Sequence, residues 1–121
     1  MSSIFVIWIL FCHWVGDFVL QNDYMSLNKS HDWMVLLCHS FTYFNVMVIG
    51  YFIIYITGYF AGYQIPILPL LFIINFPAHF IIDGITSRIN VKLYEKNRHR
   101  FFTMIGFDQF LHFLVLFWTL S

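Results

Sequence analysis

The chain has 121 residues, of which 60% are hydrophobic, 22% are aromatic and only 10% are charged. A soluble domain carries about a quarter charged residues, and one of this length cannot bury so much apolar surface in a single small core. The composition therefore indicates an integral membrane protein, and the formal net charge of zero gives no indication of a nucleic-acid partner.

Four apolar segments are each long enough to cross a bilayer as a helix, which takes about 17–25 residues. They predict an all-α fold, an integral membrane four-helix bundle that forms one domain over residues 1–121. The polar residues 21–32 predict a loop between the first two spans. The predicted spans are residues 4–20, 33–59, 66–87 and 101–120.

Helix breakers and charges add detail to the second half of the chain. Gly58, Gly62 and Pro66 predict a short uncharged connection between the second and third spans. Pro77 lacks the amide hydrogen that a helix interior needs, so a kink is predicted beside it in the third span. Residues 88–100 are basic and predict a helical extension that lies at the membrane interface.

The positions of the basic residues indicate an orientation in the membrane. All six lie in two loops on the same side of a four-span protein. Because cytoplasmic loops carry an excess of Lys and Arg, the basic loops are predicted in the cytoplasm and both termini on the non-cytoplasmic side of the membrane. The six residues are Lys29, Arg88, Lys92, Lys96, Arg98 and Arg100.

Three pairs of a His and an Asp stand at a spacing of four inside these apolar spans. Residues four apart lie on one face of a helix, and an Asp at the centre of a span costs roughly 2.5–3.5 kcal/mol on insertion scales. At about 1.5 Å per residue, the pairs and His39 all lie roughly 6–15 Å from the cytoplasmic ends of their spans. The pairs are His13 and Asp17, His79 and Asp83, and Asp108 and His112.

Seven ionisable groups from four helices at one depth predict a metal centre. Imidazole and carboxylate together suit Zn, Mn or Fe, and helix bundles build such sites from inward-facing side chains. Seven groups are enough for two divalent ions that share a carboxylate, and a bound ion would activate a water near neutral pH. The predicted ligands or direct supports are His13, Asp17, His39, His79, Asp83, Asp108 and His112.

Two other interpretations of these residues remain open. The His–Asp pairs can satisfy each other and hold the helices together, or they can form a proton or ion pathway. Gln109 lies about 100° around the helix from its neighbour Asp108, so it is not predicted to join the cluster. His31 and His99 lie in loops and are predicted to be solvated.

Four segments carry a resemblance to a known family: HWVGDFVLQNDYMSLNKS (13–30), His39, HFIIDGITSRIN (79–90) and FDQFLHF (107–113). They resemble small bacterial and phage membrane proteins with the pattern HxxxDFxLQxxxMxxxK, a single His, HxxxD and DQxxH, a family without a characterised function. A looser similarity to bacterial membrane-bound metal-dependent hydrolases, which also distribute His and Asp over several spans, implies a hydrolytic reaction by analogy.

The function expected from these patterns is an intramembrane metal-dependent hydrolase that acts from the cytoplasmic leaflet. Its substrate would be a phosphoester, or another ester, of a lipid or lipid-linked molecule, with Asp17 and His39 as catalytic residues. The alternative is a non-enzymatic membrane protein, in which the cluster is a structural metal site or polar contact. Such a protein would modulate a host or partner membrane protein, and either kind of protein could form a homo-oligomer.

Overall fold

The computed structural model of the protein describes residues 3–57 and 70–120, and within them it contains helices and no strand. The all-α prediction is confirmed. The end of the second predicted span, the start of the third and the predicted connection between them lie outside the described residues. The helices are α1 (Ser3–Trp14), α2 (Asp23–Asn28), α3 (Trp33–Thr57), α4 (Phe76–Lys96) and α5 (Arg98–Leu120), with π-helical segments at Val15–Val19 and Leu71–Asn75.

The polar segment between the first two spans is not simply the loop that was predicted. It contains α2, which begins after Asn22, where the side-chain oxygen of Asn22 accepts a hydrogen bond of 2.8 Å from the backbone N–H of Met25. Asn at this position is a strong helix-starting signal. The prediction of a loop over residues 21–32 was therefore wrong for the residues of α2, because a local cap outweighed their polar composition.

The two π-helical segments lie where the chain enters or leaves the centre of the bundle. The first continues α1 and carries Asp17, and it closes with a hydrogen bond of 3.0 Å from Leu20 N–H to the carbonyl of Val15. The second ends at Asn75, two residues before Pro77. A proline ring crowds the carbonyl four residues earlier, which here is the carbonyl of Ile73. The wider π-helical turn therefore lies where the kink beside Pro77 was predicted.

The helix of the third predicted span continues beyond residue 87 into the predicted helical extension. No Gly or Pro follows Ser87 before Lys96, and α4 continues to Lys96. It stops at Asn97, whose extended backbone (φ −155°, ψ 99°) separates it from α5. The basic segment is thus divided between the end of α4 and the start of α5.

An apolar core fills the end of the bundle where α1 begins and where α3 and α5 end. Gly16 and Gly50 let α1 and its π-helical continuation approach α3 closely. A methyl group at Gly16 would lie 3.2 Å from the Tyr43 Cα, and one at Gly50 would overlap the Cys12 Sγ. The buried side chains of this core are Phe5, Ile9, Cys12, Tyr43, Met47, Tyr51, Ile54 and Leu116.

Two helices are long and apolar enough to cross a membrane, Trp33–Thr57 and Arg98–Thr119, each with a mean hydropathy of 1.5 over the best window. Ser3–Val19 is a shorter apolar stretch. Many large apolar side chains on the outside of the bundle are exposed, including Ile7 (66%), Ile56 (62%) and Trp118 (69%).

Candidate metal centre

All seven predicted site residues are buried, and none is more than 9% exposed. They come from every long helix of the bundle. His13 lies at the end of α1 and Asp17 in the π-helical turn that follows, while α3 contributes His39. His79 and Asp83 come from α4, and Asp108 and His112 from α5.

Four potential ligand atoms meet at one point in the bundle. Nε2 of His39 lies 3.1 Å from Oδ1 of Asp17 and 2.9 Å from Oδ2 of Asp83. Nε2 of His79 lies 3.4 Å from Nε2 of His39. It also lies 3.7 Å from the same Asp17 oxygen and 3.9 Å from the same Asp83 oxygen. We call these four residues the His39 group.

The spacing within the His39 group fits a single tetrahedral ion. With metal–ligand bonds of about 2.1 Å, such an ion holds its ligand atoms about 3.4 Å apart. The five distances above run from 2.9 to 3.9 Å, and all four residues offer ligand atoms within 4.8 Å of one another. Two imidazoles and two carboxylates are also a donor set that Zn, Mn and Fe accept.

Asp17, Asp108 and His112 form a second close group, also within 4.8 Å. Its carboxylates already have protein donors. The hydroxyl of Thr86 donates to Oδ1 of Asp108. The side-chain amide of Gln109 lies 3.0 Å from both Oδ2 of Asp108 and Oδ2 of Asp17. This second group is a hydrogen-bonded network that offers three ligand atoms, one fewer than the His39 group.

His13 belongs to neither group of ligand atoms, because both of its ring nitrogens have other partners. Its Nδ1 lies 3.1 Å from the Tyr43 hydroxyl, and its Nε2 lies 2.9 Å from Oε1 of Gln109. The ring of Tyr43 also stacks on that of His79, with centroids 3.9 Å apart and planes 5° apart. His13 and Tyr43 thus pack beside the His39 group without contributing ligand atoms to it.

Lys29 reaches the cluster from the segment that follows α2. Its Nζ lies 3.0 Å from Oδ2 of Asp83, and its side chain is only 15% exposed. The oxygen that accepts from Lys29 is the same oxygen that contacts His39. The Lys29 ammonium therefore balances part of the buried negative charge at the His39 group.

A cavity of about 590 Å³ opens beside the cluster, and its lining includes the three carboxylate residues Asp17, Asp83 and Asp108. Lys29 lines it as well, whereas none of the four buried imidazoles does. The arrangement presents acidic groups to the cavity and imidazoles to the interior of the bundle. An ion in the His39 group would be reached from the carboxylate side.

Sequence reasoning missed four residues that contact the cluster: Lys29, Tyr43, Thr86 and Gln109. Gln109 was expected to face elsewhere, but α5 lies so that Asp108 meets Thr86 on α4 while Gln109 meets Asp17 and His13. Lys29 had a signal, since it is the final K of the pattern HxxxDFxLQxxxMxxxK. Tyr43 and Thr86 carried no pattern that separates them from ordinary helix residues.

Three ring nitrogens of the cluster are buried and have no hydrogen-bond partner among the described residues. They are Nδ1 of His39, Nδ1 of His79 and Nε2 of His112. His112 holds its other nitrogen 2.8 Å from the backbone carbonyl of Asp108. In that contact Nδ1 is the donor, so Nε2 of a neutral His112 would be an acceptor without a partner among the described residues.

Comparison with known proteins gives a family but no activity. No curated protein and no solved structure matches the chain. A match to a protein family covers residues 4–120, and therefore includes every residue of the His39 group. On that match, the chain belongs to the family described as protein of unknown function (DUF3307).

Proposed function

We propose that the protein is an intramembrane metal-dependent hydrolase that acts from the cytoplasmic leaflet on a phosphoester of a lipid or lipid-linked molecule. The observation that carries the proposal is the His39 group, four ligand atoms at tetrahedral spacing beside an open cavity. A hydrolytic ion also needs a coordination position for water or substrate beside its protein ligands, so an ion held by all four residues would take a fifth ligand from the cavity side.

A membrane location is part of the proposal. Only 17% of the apolar window of α5 is buried in the protein, whereas the core helix of a soluble protein would be mostly buried. The exposed apolar side chains of α1, α3 and α5 would then face lipid. Four spans with both termini outside would bring the basic residues, and the cavity wall formed by Tyr94 and Glu95, to the cytoplasmic face.

Charge balance favours an ion in the His39 group. Three buried carboxylates and one Lys29 ammonium leave two negative charges uncompensated when the imidazoles are neutral. Each uncompensated buried charge costs several kcal/mol. One divalent cation would neutralise these two negative charges. The two carboxylates and two imidazoles of the His39 group would hold that cation.

The residues around the cavity would have different roles in the reaction. A bound divalent ion supplies Lewis acidity to a phosphoryl oxygen and lowers the pKa of a water. Asp17 and His39 would serve mainly to hold that ion, and Gln109 fixes the second oxygen of Asp17. Asp108 lines the cavity outside the His39 group, and we propose that it accepts a proton from the attacking water after giving up one of its hydrogen bonds.

One observation favours the non-enzymatic alternative. Ligating imidazoles usually donate their second nitrogen to a carboxylate or carbonyl, but Nδ1 of both His39 and His79 lacks such a partner among the described residues. The lack of such a partner favours a structural polar cluster in a protein that binds a host membrane protein, and two protonated imidazoles would then supply the two positive charges in place of the ion.

Metal analysis of the purified protein tests the proposal first. Protein supplied with Zn or Mn should retain about one ion per chain. His79→Ala and Asp17→Asn should each lose it, and the double variant should lose no more than either single one, because a single site is destroyed only once. His99→Ala, at an exposed position, is the matched control and should bind like the wild type.

Turnover is the second test. Metal-loaded protein in liposomes should release phosphate or alcohol from a phosphorylated lipid, and Asp17→Asn should abolish this while the protein still folds. If the wild type binds no ion, or if a panel of esters shows no turnover while Asp17→Asn lowers the unfolding temperature by several degrees, the cluster is structural and the hydrolase proposal fails.

A further inference from the structure

Three polar atoms in the cavity wall have no hydrogen-bond partner among the described residues. Oε1 of Gln21, Oγ of Ser87 and Oδ1 of Asn90 are shielded from solvent and unpaired, and all three residues line the same cavity. A buried polar atom without a partner is destabilising and uncommon in folded proteins. Three of them in residues that line one cavity indicate a place for a polar group, which these side chains would reach by turning toward the cavity.

Their positions adjoin the carboxylate cluster. Gln21 follows Asp17 by four residues, and Ser87 follows Asp83 by four, so Ser87 lies roughly 6 Å further along the axis of α4. Asn90 lies roughly 10 Å along the same helix from Asp83. A substituent of two to five heavy atoms on a group held at the cluster would span this distance.

The chemistry of these three side chains favours a ligand that carries neutral hydroxyl groups. Amides and a hydroxyl both donate and accept hydrogen bonds whichever way the amides are turned, and none of the three carries a charge. The one cation among the described residues that line the cavity, Lys29, is engaged by Asp83. Further along α4 and α5 the lining contains the apolar or aromatic side chains of Val91, Tyr94 and Phe101, beside the carboxylate of Glu95.

We infer that Gln21, Ser87 and Asn90 form a subsite for the hydroxyl-bearing part, a polyol or a sugar, of the ligand whose phosphoester lies at the His39 group. The inference rests on the proposed function for the position of the phosphoester. It adds a substrate class: a polyhydroxylated head group, with any alkyl chain toward Val91 and Phe101.

A matched pair of small phosphoesters tests the subsite. Glycerol 1-phosphate and propyl phosphate have the same three-carbon skeleton, and only the first carries two free hydroxyls. Their dissociation constants would be measured by calorimetry on the metal-loaded, full-length protein in a detergent without hydroxyl groups. Wild-type protein should bind glycerol 1-phosphate about tenfold more tightly, which is what one or two net hydrogen bonds supply.

Two variants test whether Ser87 and Asn90 produce that preference. Ser87→Ala and Asn90→Leu should each reduce the ratio of the two constants, and the double variant should bring it near one without changing the affinity for propyl phosphate. Ser26→Ala is the control, because Ser26 lines the same cavity from α2 but is exposed. The unfolding temperature would confirm that each variant folds.

The outcomes separate the subsite from the proposed reaction. Equal binding of the two esters, binding of neither, or a preference that survives in the double variant overturns the subsite and leaves the three polar atoms to ordered water. Preferential binding of glycerol 1-phosphate that Ser87→Ala and Asn90→Leu remove supports the subsite, whether or not the ester is cleaved. Absence of cleavage would then count against the hydrolase proposal alone.

Discussion

At the scale of single residues, Lys29 connects a surface segment to the buried cluster. Its ammonium lies 3.0 Å from the Asp83 oxygen that also contacts His39. An ion in the His39 group would use this same oxygen. Lys29 and the ion therefore compete for one ligand atom, and the competition can be measured.

Replacement of Lys29 by Met should have opposite effects on stability and on metal affinity. Without added metal, Lys29→Met should lower the free energy of unfolding by roughly 1.5–3 kcal/mol, because a charged hydrogen bond to a buried carboxylate is lost. With Zn or Mn the variant should bind more tightly than the wild type and recover its unfolding temperature.

Lys92→Met is the matched control for Lys29→Met, since Lys92 is exposed on α4. It should change neither stability nor metal affinity. Metal binding that weakens in Lys29→Met would mean that Lys29 supports the site instead of competing with the ion.

At the scale of elements, the close approach of α1 and its π-helical continuation to α3 explains why glycine is present at Gly16 and Gly50. The carbonyl of Gly50 accepts a hydrogen bond of 2.9 Å from Nε1 of Trp8. A methyl group there would overlap with Cys12. These contacts hold the two helices together on the side away from the cavity.

Gly50→Ala should destabilise the protein by roughly 1–3 kcal/mol, the usual cost of overpacking. Adding Cys12→Ala should restore part of that loss, because it removes the Sγ atom that the new methyl group meets. Thermal unfolding of the two single variants and the double variant in detergent gives the measurement.

Gly106→Ala provides the comparison for Gly50→Ala, since nothing lies within 4 Å of the added methyl group. The higher helix propensity of Ala should leave its stability unchanged or raise it by up to about 1 kcal/mol. Equal unfolding temperatures for Gly50→Ala and Gly106→Ala would contradict the close packing of α1 on α3.

At the scale of the whole molecule, the bundle is polar and open at one end and apolar at the other. The core around Phe5 and Met47 closes one end, the His39 group lies beyond it, and the cavity extends along α4 toward Tyr94. With the proposed orientation, the open end faces the cytoplasm.

Cysteine labelling in intact cells tests that orientation. In a background with Cys12→Ala and Cys38→Ala, a cysteine at Lys96 should be shielded from a membrane-impermeant thiol reagent. A cysteine at Ser3, at the start of α1, should react. The opposite pattern would invert the topology and place the cavity on the outer side, while the same result at both positions would contradict the three spans between them.

Much of the architecture follows from the sequence. Apolar segments of sufficient length predict helices, and the described parts of all four predicted spans are helical. The seven ionisable residues could be singled out because such groups inside apolar segments are costly unless they face inward and find partners. Spacings of four residues then place His79 with Asp83 on one face of their helix.

The tertiary structure alone decides which of these residues share a ligand point. His13 and His79 have equivalent motifs, yet Gln109 and Tyr43 engage His13 while His79 meets His39. This choice depends on how far each helix is rotated about its axis, and contacts between distant parts of the chain determine that rotation. The π-helical turn at Asp17 and the approach of Gly16 to Tyr43 are two such determinants, and a local pattern contains neither of them.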